Sequence, residues 1–450
     1  VAVLSATAGC GRQQKGEILN ILAEELNRSL SGTCAGRLLS DLGQRMFFPK
    51  GLLSQSAEAT ERAHKFNATV GMAYSGGQPI MLEGVRQQLP GLSPKEAVAY
   101  GPTSGVMAFR ELWRKEILRK NPSMKGKACS LPVSVPGLTA GVSYLADLFI
   151  DSGDTVVVPD MFWPNYRLII EERHCAKMEH YSFFDDKGGF NVPAMEAAIR
   201  KSAATRKRSI VILNFPNNPT GYTPSLSEAA AIQTTLLTLA DSGIDLLVIM
   251  DDAYFGLQYE ADNLRESMFA RLAGAHERIL AAKVDGSTKE DYVWGFRGGF
   301  ITFAGKGLDE HQYGALVKKL MGVIRSSVSS PAAPTQYIMM KAMEHPGYLA
   351  EKEKYAALME TRYHAVKRWL ATHPAPAGLR PLPFNSGYFM CFLCEGYSAE
   401  ALRLRLLDEH GIGTISLQEK WLRVAFSCIE EADIDELYST IYKAAAGMKA

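Results

Sequence analysis

The chain lacks net charge: 49 Lys and Arg stand against 48 Asp and Glu, leaving +1 over 450 residues. Nucleic acids and anionic membranes are recognised first through an excess of cationic surface, so this balance argues against both as partners. Any anionic ligand must instead be met by a few placed groups. Long apolar runs are missing as well. No stretch approaches the roughly 20 residues needed to cross a bilayer, and the chain reads as soluble. Cysteine is sparse, with seven residues scattered at 10, 34, 129, 175, 391, 394 and 428. That pattern argues against a disulfide framework and for a reducing compartment, the cytoplasm. Cys391 and Cys394 have redox or zinc spacing, but no second pair or histidine cluster accompanies them. The apolar residues between them predict a buried structural pair in a strand. The nine histidines show no ligand spacing, so no metal is expected. No G-x-G-x-x-G follows an early strand, which argues against a nicotinamide dehydrogenase.

What is present is organised. At 450 residues the chain is too long for one ordinary domain and predicts two or three. Residues 1–18 open with small apolar residues. Thr7-Ala8-Gly9-Cys10 resembles a lipoprotein cleavage site, but no basic segment precedes it, and a disordered extension is expected. From about residue 100 to 305, short apolar runs alternate with amphipathic stretches. The runs are Thr155–Pro159, Ser209–Phe215, Leu246–Met250, Ile279–Val284 and Gly299–Ala304. Their lack of polar alternation predicts strands covered on both faces. Helices are predicted at Ala194–Ser202 and Ser225–Asp241, the latter opening on a capping-box serine with Glu228 three residues on. The fold class is therefore α/β, a large domain with a mostly parallel mixed sheet between helices. The last two runs are joined too briefly for a helix and suit an antiparallel pair.

After residue 330 the texture changes. Tyr348, Leu349, Tyr355, Leu358, Met359, Val366, Trp369 and Leu370 keep helical spacing over about 25 residues without a proline. Such a helix reaches roughly 37 Å, enough to connect two lobes. Gly387–Leu393, Ala399–Glu409 and Trp421–Phe426 then read as a smaller α+β domain. The expected division is 19–80 for the N-terminal part of the small domain, with helices near 17–30 and 56–66. It continues with 81–345 for the large domain and 346–450 for the rest of the small one.

Ligands of open α/β sheets sit outside the carboxyl ends of the strands. Here three successive strands are followed by Asn218, by Asp251 with Tyr254, and by Lys289 with Arg297 eight residues later. Each has an ordinary alternative as a turn, a helix cap or a surface lysine. Together they match the needs of pyridoxal phosphate catalysis. A lysine amine holds the aldehyde covalently and a carboxylate keeps the ring nitrogen protonated. A phenol and an amide bond the ring oxygen, and an arginine with helix-start N–H groups grips the phosphate. Lys283 and Asp252 are the competing residues. Lys283 lies inside an apolar run, and Asp252 falls on the opposite face of an extended chain from Asp251.

In these motifs the chain resembles the fold-type I, class I/II aminotransferases, the aspartate aminotransferase superfamily, from about residue 20 to the C-terminus. Asn218-Pro219-Thr220-Gly221 resembles the family's NPTG motif, and Asp251-x-Ala253-Tyr254 its D-x-A-Y. The resemblance implies Asn218 and Tyr254 on the ring oxygen, Asp251 on the pyridine nitrogen, Lys289 as the covalent lysine and base, and Arg297 on the phosphate. It further implies Gly137, Leu138 and Thr139 as the phosphate cup, and Trp163 stacked on the ring. Arg423 would bind the substrate α-carboxylate and Gly71 would close over substrate. Tyr100 would reach a neighbouring subunit's phosphate, so a homodimer is implied. Arg325, before Ser326–Pro331, resembles the family position for a distal carboxylate in the partner's site, with aspartate or glutamate as one substrate. Family members often carry a serine where this chain has Gly286, which leaves Ser287, Thr288 or the backbone to take its place. The implied activity is transfer of an amino group from an L-amino acid to a 2-oxo acid. A β-eliminating C–S lyase, a decarboxylase and a non-catalytic cofactor-binding module remain open.

Overall fold

The computed structural model describes residue 19, residues 21–47 and 91–448, and the backbone of 74–75 and 78–79. The large sheet has seven strands: β1 (Val133–Pro136), β2 (Thr155–Pro159), β3 (Lys177–Tyr181), β4 (Arg208–Asn214), β5 (Asp245–Asp251), β6 (Ile279–Asp285) and β7 (Gly298–Gly305). They lie in the order β1-β7-β6-β5-β4-β2-β3. Only β7 opposes its neighbours. It pairs antiparallel with both β1 and β6, while the pairs from β6 to β3 are parallel.

Both faces are covered, as the unalternating runs imply. Along β4 and β5, Ile210, Ile212, Leu247 and Ile249 enter one core, and Val211, Leu213, Leu246, Val248 and Met250 enter the other. The first core is closed by α2 (Leu138–Phe149) and α5 (Glu310–Ser327), the second by α3 (Val192–Ser202) and α4 (Leu226–Asp241). The Ser225–Glu228 capping box forms at the start of α4 as its sequence requires.

The second sheet is antiparallel: β8 (Leu379–Pro381), β9 (Met390–Cys394), β10 (Ile415–Leu417) and β11 (Trp421–Val424), in the order β8-β9-β11-β10. Its helices are α6 (Tyr348–Thr372), α7 (Ala399–His410) and α8 (Ile434–Ala446). The 25 residues of α6 match the helix read from spacing. Its Tyr363, Val366 and Trp369 enter the small-sheet core. Cys391 and Cys394 are buried in β9 and free. Three residues apart in a strand, they point to opposite faces: Cys391 joins the core against the large sheet and Cys394 the core of the small lobe.

One expectation fails. The helix α1 (Ile21–Ser29) and the short helices Cys34–Leu38 and Asp41–Arg45 pack on the large sheet, not with the C-terminal lobe. Leu30, Cys34, Ala35, Leu38 and Leu39 fill the first core beside β5, α2 and α5. Arg37 fixes them there with a two-pronged pair to Asp245, 2.6 Å from each carboxylate oxygen. The apolar stripe of this segment matches a face of β5 that needs covering. The helix expected at 56–66 lies outside the described residues. Among the described residues, no helix is long and apolar enough to cross a membrane.

Candidate active site

The carboxyl ends of β1, β4, β5 and β6 meet at one edge of the sheet. Because β7 runs the other way, its start joins them: Pro136 pairs with Gly298. A cavity of about 210 Å³ opens there, lined by Leu138, Thr139, Trp163, Asn214, Asn218, Asp251, Ala253, Tyr254, Thr288, Lys289 and Arg297. Eight of the residues expected from sequence therefore converge on one cavity. Gly137 sits beside it as the residue before α2.

Each is placed by a local reason. Gly137 has φ +90, which suits glycine, and a Cβ there would fall 2.4 Å from the Arg297 guanidinium. Glycine thus lets the guanidinium lie against the start of α2, where free backbone N–H groups favour an anion. Gly221 in the Asn218–Gly221 turn is needed for a different approach: a Cβ would lie 1.9 Å from the Phe389 carbonyl oxygen. The Asn385 and Ser386 N–H groups both donate to the Gly221 carbonyl at 2.9 Å. That turn docks the small lobe onto the cavity. As a result Arg423 on β11 reaches across, donating from Nη1 to Asn218 Oδ1 at 2.8 Å. Its guanidinium also lies 4.2 Å from the Phe389 ring centre.

Two residues that sequence reasoning passed over hold Asp251 in place, and Asn214 also lines the cavity. Tyr166 is fully buried and donates its phenol to Asp251 Oδ2 at 2.5 Å. Asn214, the last residue of β4, donates to the Asp251 carbonyl at 2.7 Å and accepts the Asn218 N–H at 2.8 Å. Tyr166 falls three residues after Trp163, on the inner face of the same turn, which is the signal that could have found it. Asn214 is a polar residue ending an apolar strand.

The electrostatics fit a base beside a buried acid. Burial pushes the Asp251 carboxyl up, against the Tyr166 hydrogen bond and Lys289. Burial pushes the Lys289 amine below the ordinary lysine value, with Asp251 opposing and Arg297 adding to the effect. Lys289 Nζ lies 5.1 Å from the Tyr254 ring centre, and burial raises the Tyr254 phenol. Lys283 is excluded from the cavity. Its amine is held by Asp252, with Asp285 at 3.4 Å, and its side chain is 1% exposed. Of the candidates for the missing serine, Thr288 lines the cavity and donates to the Gly298 carbonyl at 3.1 Å. Ser287 is buried, and among the described residues its Oγ has no partner.

Two expected residues are not gathered here. Tyr100 is 71% exposed. Arg325, at the end of α5, is exposed and bonded to Ser329. Gly71 lies outside the described residues.

A phosphorylated pyridine aldehyde fits this donor set. Among the described residues, Asp251 Oδ1 is buried without a hydrogen-bond partner, an orphan that a protonated ring nitrogen would satisfy. The glycine-opened helix start and Arg297 form an anion cradle, and an amine stands between. Fold and donor set together define a pyridoxal-phosphate-dependent enzyme of fold type I.

The model of the family "Aminotransferase class I and II" matches residues 65–441. The chain belongs to that family and is a pyridoxal-phosphate-dependent transaminase. It is 26% identical over 321 residues to an arginine–pyruvate transaminase of Pseudomonas aeruginosa, covering 70% of this chain and 73% of that one. It is 21% identical over 343 residues to a probable N-acetyl-LL-diaminopimelate aminotransferase of Bacillus subtilis, covering 74% and 78%. In fold it is similar to an aminotransferase of Anaerococcus prevotii, with a TM-score of 0.68 and 20% identity over 90% of this chain and 96% of that one. A multiple substrate aminotransferase of Thermococcus profundus gives 0.65 and 19%, covering 95% of each chain.

Proposed function

We propose that Lys289 is the covalent and proton-transferring residue, and that Asp251, Asn218, Tyr254, Trp163, Thr139, Leu138, Gly137 and Arg297 hold the cofactor. The observation that carries this is the unpartnered, buried Asp251 Oδ1 in the wall of the cavity that also holds the Lys289 amine. The bound cofactor supplies an electron sink for the substrate's α-carbon. Asp251 would keep a positive charge on the cofactor ring, with Tyr166 and Asn214 fixing its carboxylate and backbone. Asn218 and Tyr254 would hold the ring oxygen and Trp163 the ring, and Arg297 with the start of α2 would hold the phosphate.

Arg423 binds the substrate carboxylate, held in place by Asn218 and Phe389. Lys289, whose amine burial holds below the ordinary lysine value, would take the substrate's α-proton and hold it at its Nζ. An acidic amino acid or its 2-oxo acid serves as one substrate, and Arg325 meets its distal carboxylate across a homodimer interface. The exposure of Arg325 and Tyr100 away from their own cavity supports that cross-subunit reading. Residues 81–345 and 346–450 act as the two lobes, and the enzyme works in the cytoplasm.

The test is amino transfer with purified protein, cofactor, L-glutamate and a second 2-oxo acid. Formation of 2-oxoglutarate that requires the added 2-oxo acid supports transfer. Ammonia released without any 2-oxo acid contradicts it. Arg325→Ala should weaken aspartate turnover more than turnover of an aromatic amino acid, and equal losses refute the role given to Arg325.

A further inference from the structure

A second cavity, of about 630 Å³, adjoins the first and shares Tyr254 and Lys289 with it. Its walls are aromatic and apolar: Tyr292, Trp294, Tyr355, Met359, Tyr388 and Phe389. The rings form two contacting groups. Tyr292 stands 5.4 Å from Tyr355 and 6.0 Å from Trp294, and Tyr254 stands 5.5 Å from Tyr388 and 5.4 Å from Phe389. Tyr292 is held at φ +57, a region that bulky residues seldom occupy and that clusters at ligand sites.

Among the described residues, the one arginine on this wall is Arg362. One of its amino groups donates to the Ser427 carbonyl and the other pairs with Glu430 at 2.7 Å, leaving Nε without a partner. Its charge is thus already met. Any group in this cavity that is attached to an amine at Lys289 will lie against rings. The volume is in the range of small-molecule sites.

We propose that this cavity receives the side chain of a large apolar or aromatic amino acid, which is the amino donor paired with the acidic substrate. This rests on the transaminase reading above. The shared Tyr254 and Lys289 put this cavity beside the reacting amine, and that position favours a substrate side chain as its occupant. Burying a phenyl ring on such walls gives tighter binding that an alanine methyl cannot gain.

The experiment uses holoenzyme and two readouts. In the first, loss of the cofactor absorption band is followed on mixing with L-phenylalanine, L-alanine or L-glutamate. The expected kcat/KM for phenylalanine exceeds that for alanine by about 30-fold or more. In Met359→Glu, and separately in the more exposed Tyr355→Ala, the loss on phenylalanine is expected to exceed the loss on alanine by about tenfold. In the second readout, 3-phenylpropionate, which carries no reacting amine, is expected to quench Trp294 fluorescence. It should bind about tenfold or more tighter than propionate, with the quench absent in Trp294→Phe. If alanine and glutamate react but phenylalanine is no better than alanine, or if the variants lose both alike, the cavity is filled by something other than substrate and the inference is overturned. If glutamate is preferred and that preference depends on Arg362, the inference is likewise overturned. If no amino acid affects the band, the transaminase reading falls and this inference with it.

Discussion

Lys289 is followed by two buried acids, and both are held by one lysine of α6. Lys352 on α6 lies 2.9 Å from Glu290 and 2.7 Å from Asp291. Lys120 also reaches Glu290 at 2.9 Å, and the Tyr348 phenol donates to Asp291 at 2.6 Å. The acids are only 9% and 2% exposed at their side chains. Replacing Lys352 by Met keeps the stem's packing but removes the cation. Glu290 keeps Lys120, whereas Asp291 keeps only a phenol. Uncompensated buried charge costs about 3–5 kcal/mol. With half the cluster still paired, the expected loss is at the low end, about 3 kcal/mol, seen as a fall of roughly 3 °C in melting temperature.

The pH dependence has a definite sign. Burial alone would raise the Glu290 carboxyl, but Lys120 and Lys352 outweigh it and hold it at about 2. A depressed carboxyl stabilises the fold above its ordinary value of 4.5, and that contribution is lost as pH falls through the folded value. The deficit of Lys352→Met should therefore be full at neutral pH and shrink below 4.5. Asp291 is raised by burial, with Glu290 adding, so Lys352→Met/Asp291→Asn should recover part of the loss in a double-mutant cycle. Scanning calorimetry of the holoenzyme at pH 4 and pH 7 measures all of this. A loss under about 0.5 kcal/mol would mean that the cluster behaves as a solvated surface pair and would refute the reasoning.

Arg423→Leu should lower kcat/KM on amino acids by roughly 30- to 1,000-fold, from the ~2–4 kcal/mol of a buried charged contact. It should change turnover of an amine without a carboxylate far less, and equal losses on both would contradict its role. Asp251→Asn should cut kcat by roughly 100-fold or more, the order seen for a lost electrostatic stabiliser, while the protein still captures cofactor. For Lys289, burial lowers the amine's pKa, so without cofactor the unfolded chain binds more protons at that site than the folded one. Stability contributed there should rise with pH up to the ordinary lysine value, and the stability gap to Lys289→Met should narrow over that range in urea titrations.

The parts of the molecule that were legible in sequence share a physical cause. Strands β4, β5, β6 and β7 are covered on both faces, so their runs are continuously apolar and stand out. The edge strand β3 is exposed, with only Tyr181 buried. Lys177–Tyr181 shows no such run, and the short β8 and β10 were equally silent. The cavity residues were legible because chemistry fixes their offsets from strand ends. Tyr166 was not, since its partner Asp251 lies 85 residues away. Lys283 illustrates the converse, because its burial among Asp252 and Asp285 is what its place inside an apolar strand implies. The docking of 21–45 was misread because the partner of an amphipathic helix is a tertiary fact, set here by Asp245 and the open face of β5.

Covalent attachment of pyridoxal phosphate to Lys289 is the proposal on which every other residue role depends. Its most direct test is the visible absorption spectrum of the purified protein with added cofactor, before and after borohydride, followed by peptide mapping. The expected result is a band that borohydride abolishes, a pyridoxyl group on the peptide containing Lys289, and no such band in Lys289→Ala. A protein that stays colourless with cofactor, or a label found on Lys283, would contradict it.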